Sequence, residues 1–125
     1  MSAARRLRIA VADDEPDVRE YLGKILPLLG HEVVALASTG AELVEACRRE
    51  RPDLVVTDIK MPDMDGLDAV QAIRAERPVP VIVITGYQDR VHRERARKGE
   101  VSIYLVKPVK RADLEEALAR LLRGI

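Results

Sequence analysis

An open α/β sheet of five parallel strands, wound on both faces by five helices, is the fold this sequence predicts. Three observations lead there. Short apolar, β-branched runs alternate five times with longer stretches at helical spacing, and such repeats demand a parallel sheet covered on both faces. The runs at 54–56 and 81–84 are almost wholly apolar, as strands buried on both faces should be. At 125 residues the chain is long enough for one domain with one proper core.

LRIAVA (7–12) reads as the first strand, and Val18, Tyr21, Leu22, Ile25 and Leu29 form one face of a helix over about 16–29. Pro27 should kink that helix or end it early. EVVALA (32–37) is the second strand. Thr39 with Glu42 three residues on is a capping-box signature for the next helix, whose inward face carries Leu43, Val44 and Cys47. DLVVT (53–57) is the third strand, followed by a helix with Leu67, Val70 and Ile73 inward. PVIVIT (80–85) precedes a weakly amphipathic helix around 89–98, in which RVHRERARK offers few apolar anchors beyond Val91 and Ala96. VSIYLV (101–106) is the fifth strand, and Leu114, Ala117, Leu118, Leu121 and Leu122 stripe the last helix. Lys110 stands near its start, where a capping Ser or Asp would be commoner.

Composition narrows the function. Lysine plus arginine number 21, against 21 aspartates and glutamates, so net charge gives no reason to wrap nucleic acid or lie on an acidic membrane. Trp and Phe are both absent, which leaves almost no platform for stacking bases or a flavin ring. No apolar run approaches the roughly 20 residues of a membrane span. The single cysteine, Cys47, excludes an internal disulfide, and a cytoplasmic location is the expectation. With no cation placed to activate it, Cys47 reads as a small buried hydrophobe. His31 at a turn and His92 in a charged helix are too far apart for a metal pair.

In open parallel sheets, binding sites lie outside the carboxyl ends of the strands. The residues there are Asp13, Asp14 and Glu15 after the first strand, Asp58 after the third, Thr85 ending the fourth, and Lys107-Pro108 after the fifth. Clustered carboxylates repel unless a cation relieves them. Hard oxygens without His or Cys suit Mg²⁺. A hydroxyl and an ammonium opposite them would hold an oxyanion such as a transferring phosphoryl group. Phosphoryl transfer onto a carboxylate uses all of these groups together. A calcium loop at Asp63-Met64-Asp65-Gly66 fails, because Met61 and Ala72 would occupy its first and last ligand positions.

In this order the residues resemble the response-regulator receiver domain of two-component signalling. Asp13-Asp14, Asp58 with the following KMPDMDG, Thr85-Gly86 and Lys107-Pro108 carry the resemblance, from Leu7 to about Leu122. Residues 1–125 are accordingly read as one receiver domain with its core at about 7–122. The resemblance implies a single (βα)5 unit of the flavodoxin and CheY-like kind, with strand order 2-1-3-4-5. It implies Asp58 as phosphoacceptor for a histidine kinase or phosphotransfer protein, with Thr85 and Lys107 binding the phosphoryl oxygens. It implies Mg²⁺, or Mn²⁺, held by Asp14, Asp58 and the Lys60 carbonyl, with Asp13 acting mainly through water. It further implies Tyr104 as a rotameric switch coupled to Thr85, a cis bond before Pro108, and a homodimer or partner contact through the fourth helix, fifth strand and fifth helix. Asp17, Val18 and Glu20 would face the kinase, while Tyr21 is assigned to the core. Lys60 and Tyr87 flank the phosphorylation site, and their length implies slow self-dephosphorylation. The protein is expected to be a signalling domain and not an enzyme, with no direct binding of nucleic acid or membrane. ASTGAELVEACRRERPDLVVTDIKMP and ITGYQDRVHRERA resemble receivers that precede an RNA-binding antiterminator output. One departure is Gly99 followed by Glu100-Val101, where the family usually carries Gly-Ala.

Other classes share parts of this pattern. An aspartate-nucleophile phosphatase needs a second carboxylate two residues after the nucleophile, where this chain has Lys60. A flavodoxin-like cofactor binder needs a phosphate-cradling loop and aromatics that are missing. A phosphorylation-independent interaction module would be expected to lose an acidic, hydroxyl or lysine position among Asp13, Asp14, Asp58, Thr85 and Lys107, and all five remain.

Overall fold

The computed structural model describes residues 5–86, 90–99 and 101–124. Strands and helices alternate as β1 (Arg8–Ala12), α1 (Pro16–Leu28), β2 (Glu32–Ala37), α2 (Gly40–Glu50), β3 (Leu54–Thr57), α3 (Gly66–Glu76), β4 (Val81–Thr85), α4 (Arg90–Lys98), β5 (Ile103–Val106) and α5 (Arg111–Gly124). The strands form one parallel sheet in the order β2-β1-β3-β4-β5. Alternation along the strands sends Ala10, Ala12, Val55, Val81 and Val83 toward α2, α3 and α4, where Leu43, Cys47, Val70 and Ile73 meet them. Ile9, Val11, Leu54, Val56, Ile82 and Ile84 face α1 and α5, against Leu22, Leu26, Leu114 and Leu118. Strands β3 and β4 are buried throughout, as their apolar runs require.

Helix ends depart from the sequence reading in instructive ways. Pro27 does not stop α1, which continues to Leu28. The helix ends where Gly30 turns left-handed (φ 95°) and the N–H groups of Gly30 and His31 close on the carbonyls of Pro27 and Leu26, a Schellman arrangement. Thr39 caps α2 by accepting the Glu42 N–H at 3.1 Å. The return arm of the box is displaced by one residue, because Glu42 accepts the Ser38 N–H at 2.9 Å. At α5, Lys110 supplies no side-chain cap, but Asp113 reaches back to accept its N–H at 2.9 Å. Tyr21 is not core; it is 37% exposed. The inward stripe of α1 is Leu22, Ile25 and Leu26, and one residue of rotation carries Tyr21 into a groove beside Pro108 and Val109.

His31, expected only at a turn, is buried and its Nδ1 accepts the N–H of Leu7 at 3.0 Å. Burial holds its pKa below the ordinary 6.5. The folded protein therefore keeps His31 neutral where the unfolded chain takes up a proton. This contribution is fully present above about pH 6.5 and is lost as pH falls toward the folded value. Urea unfolding of wild type should weaken between pH 7.5 and 5.5 by more than that of His31→Gln. Equal losses in the two proteins would refute the assignment.

Candidate functional site

The carboxyl ends of β1, β3, β4 and β5 bring the expected residues to one crevice. Asp58 follows β3, and its N–H bonds the carbonyl of Ala12 in β1 at 2.9 Å. One carboxylate oxygen, Oδ1, accepts the Ile59 N–H at 2.7 Å. The other, Oδ2, lies 3.1 Å from Lys107 Nζ. The same ammonium sits 2.9 Å from Asp13 Oδ2 and 2.8 Å from Glu15 Oε1. Asp13 is fully buried and Asp58 nearly so, while Asp14 and Glu15 are exposed. Asp13 Oδ1 accepts the Glu15 N–H at 2.9 Å. Its Oδ2, although close to the ammonium, makes no well-aligned hydrogen bond.

Charge at this site is finely opposed. Burial raises the pKa of Asp58, and the neighbouring Asp13 carboxylate raises it further against the pull of Lys107. Burial alone would lower the Lys107 ammonium, but its close pairing with Asp13 and Glu15 and the charge of Asp58 outweigh that and hold it above the usual lysine range. Carboxylate oxygens of Asp13, Asp14, Glu15 and Asp58 all lie within 4.8 Å of one another. With hard oxygen donors throughout and one buried oxygen short of a hydrogen bond, the cluster could hold a hard divalent cation. Lys60 lies exposed two residues beyond Asp58.

Thr85 is fully buried at the end of β4, and its carbonyl accepts the Lys107 N–H at 2.8 Å. Tyr104 on β5 pairs in register with Val83, and Val106 with Thr85. Alternation therefore places Thr85 and Tyr104 on one face as diagonal neighbours, within reach of a long side chain. Tyr104 is half-buried against the core on the α4 side, with the Arg93 guanidinium 5.1 Å from its ring centroid. The Lys107–Pro108 peptide is cis. Tyr87 and Glu100 lie outside the described residues.

Three residues matter more than the sequence reading indicated. Glu15 stands at the N-cap position of α1, but its side chain makes no cap bond and instead partners Lys107, a role faintly visible in its place as the third consecutive acid. Gly66 begins α3 with its N–H on the Ile59 carbonyl at 2.7 Å, and a side chain there would overlap the Asp58 carbonyl oxygen. Asp65 is the N-cap of α3, and Arg95 of α4 grips it. Nothing in the sequence signals that pair, whose members are thirty residues apart. Cys47 is buried as expected, with its thiol pushed up to about 11 chiefly by burial.

Residues 9–119 match the family profile described as the response regulator receiver domain. The chain is 40% identical over 116 residues to the transcriptional regulatory protein PdtaR of Mycobacterium tuberculosis, covering 93% of this chain and 57% of that protein. It is 37% identical over 123 residues to the protein-glutamate methylesterase/protein-glutamine glutaminase of group 3 operon of Pseudomonas putida, covering 95% of this chain and 36% of that protein. The chain thus spans about half or less of the length of these relatives. A CheY-like response regulator receiver domain protein from Methanospirillum hungatei superposes with a TM-score of 0.89 at 29% identity, over 96% of both chains. The strand order 2-1-3-4-5 agrees with these likenesses, and the chain belongs to the response regulator receiver domain family of two-component signalling.

Proposed function

We propose that this domain is a phosphorylation switch whose acceptor is Asp58, loaded by a histidine kinase or phosphotransfer protein. One observation carries the reading. Asp58 stands at a strand end with one oxygen fixed by a backbone N–H and the other held by a lysine that also bonds Glu15 and forms an ion pair with Asp13. A carboxylate so oriented is poised to attack phosphorus. The new O–P bond forms as the bond to the donor's leaving group breaks, and that group departs with the electron pair. Lys107 is placed to follow the transferred charge, and the buried Thr85 hydroxyl is the expected second partner. Asp13, Asp14, Asp58 and the Lys60 carbonyl would hold Mg²⁺ or Mn²⁺, which neutralises charge on the phosphoryl oxygens when bound. The domain accepts a group and does not turn over a substrate, so it is a switch and not an enzyme.

Phosphorylation adds charge and acceptor oxygens that reward inward movement of Thr85 and Lys107. Tyr104, diagonal to Thr85, would carry that movement toward α4, β5 and α5, where a homodimer or partner contact forms. Among the charges of that face, Arg97 already bonds Glu94 and Arg111 bonds Glu115 within the chain. Partner contacts would have to exchange those pairs. The resemblance to receivers that precede an antiterminator, and the likeness to PdtaR, support an output in transcriptional control. A cytoplasmic site of action follows from a kinase partner. No helix among the described residues is long and apolar enough to cross a membrane.

Intact-mass spectrometry after incubation with acetyl phosphate and Mg²⁺ tests the reading. Wild type should gain one phosphoryl group, releasing acetate, while Asp58→Asn and chelated wild type gain none. An adduct on Asp58→Asn would move the acceptor elsewhere. No adduct on wild type, with no response to beryllofluoride, would leave a phosphorylation-independent interaction module.

A further inference from the structure

Helix α4 is held to the domain mainly by charge. Of its nine residues five are Arg or Lys, and Ala96 alone is buried, while Val91 is 68% exposed. Among the described residues, Arg95 carries its bonds to α3 and the residue that caps it. This guanidinium donates to both oxygens of Asp65, at 3.0 and 3.2 Å, and to Asp68 at 3.1 Å. Such a fork fixes direction as well as distance. Asp65 is engaged twice, because it also caps α3 by accepting the Asp68 N–H at 2.8 Å. The next residue, Gly66, closes the loop that begins at Asp58 and leaves no room above the Asp58 carbonyl. One side chain therefore ties the middle of α4 to the far end of the loop that carries Asp58.

A second contact of α4 lies on β5. The Arg93 guanidinium sits 5.1 Å from the Tyr104 ring centroid, and Tyr104 is the diagonal neighbour of Thr85. A movement of Tyr104 that follows Thr85 therefore acts on α4 through Arg93 while Arg95 holds its middle to α3. The two demands compete, and the fork is fully formed where Asp58 is an unmodified carboxylate bonded to Lys107.

We propose that the Arg95–Asp65 fork is a latch, with Arg95 a positioning residue that holds α4 in its unmodified place and opposes activation at Asp58. The latch rests on the phosphoacceptor reading and deepens it, adding a restraint on α4 that does not pass through Tyr104. By linkage, a contact that favours the unmodified state lowers affinity for anything that mimics the modified one.

The test is the affinity of the Mg²⁺-loaded protein for beryllofluoride, a phosphoryl mimic, measured calorimetrically. Arg95→Gln should bind it tighter by on the order of fivefold. Asp65→Asn should do the same, since asparagine keeps the helix cap while losing the charge. The double variant should gain no more than either single, because both remove one contact. Arg48→Gln, which loses an ion pair between α2 and α3 away from that face, should bind as wild type does. Thermal melts confirm folding, and Asp65→Asn serves if Arg95→Gln does not fold. Wild-type affinity in both single variants, additive gains in the double, or an equal gain in Arg48→Gln would overturn the latch alone. No binding by wild type would overturn the phosphoacceptor reading and the latch with it.

Discussion

Gly66→Ala should cripple the site without touching any charged group in it. The residue starts α3 and its N–H bonds the Ile59 carbonyl at 2.7 Å. A methyl group there would overlap the carbonyl oxygen of Asp58, with the Thr57 hydroxyl next behind it. The obstacle is backbone and not the tip of a flexible side chain, so relief requires moving the loop or the helix start. Forced overpacking costs about 1–3 kcal/mol and occasionally more, and this case belongs at the upper end. The displaced segment is the one that aims the Asp58 carboxylate, so phosphoryl transfer should fall by at least about tenfold, since small misplacements cost rate steeply. Urea unfolding and the acetyl phosphate mass assay read the two effects. Wild-type stability together with wild-type adduct formation would show that the loop yields freely.

Lys107→Met should be the most damaging change of charge. The ammonium is the shared cation for Asp13, Glu15 and Asp58, with only 16% of its side chain exposed. Methionine keeps much of the stem and removes the charge, leaving two buried carboxylates to repel. Breaking a buried pair by deleting one partner costs about 3–5 kcal/mol, and exposure of Glu15 and Asp14 to water places the effect toward the lower figure. The sign with pH follows. Burial and Asp13 both push Asp58 upward, and Lys107 opposes them together with the Ile59 N–H, so the variant's Asp58 rises further. An acid raised in the folded state binds protons there that the unfolded chain does not, so stability grows as pH falls. The deficit of Lys107→Met in chelator should therefore be larger at pH 7.5 than at pH 5. Added Mg²⁺ should stabilise the variant more than wild type, because the cation relieves the same repulsion. A deficit independent of both pH and Mg²⁺ would mean that the lysine contributes only packing.

Much of this molecule was legible without coordinates. The five strands follow from apolar runs of four to six residues, and the two fully buried ones lie inside the sheet, flanked on both edges, as their composition requires. Because side-chain direction alternates along a strand and sites gather at carboxyl ends, Asp13, Asp58, Thr85 and Lys107 could be placed together by counting alone. Tyr21 was misplaced for a reason of the same kind. A helical stripe is broad, and residues at its margin are sorted inward or outward by what packs opposite, which periodicity does not contain. His31 likewise looked like a turn residue, since its acceptor role depends on Leu7, twenty-four positions earlier.

The sequence by itself determined the order of elements, which residues stand at the strand ends, and the family, because these depend on local periodicity and on residues adjacent to strand ends. Tertiary structure alone decided that Glu15 joins Asp13 and Asp58 around Lys107, that Gly66 has no space for a side chain, and that Arg95 holds Asp65 across two helices. The physical reason is range. Backbone periodicity and capping act over a few residues and are written along the chain, whereas a salt bridge, a close approach or a shared cation needs two segments brought within a few ångströms, and only the packed sheet brings them there.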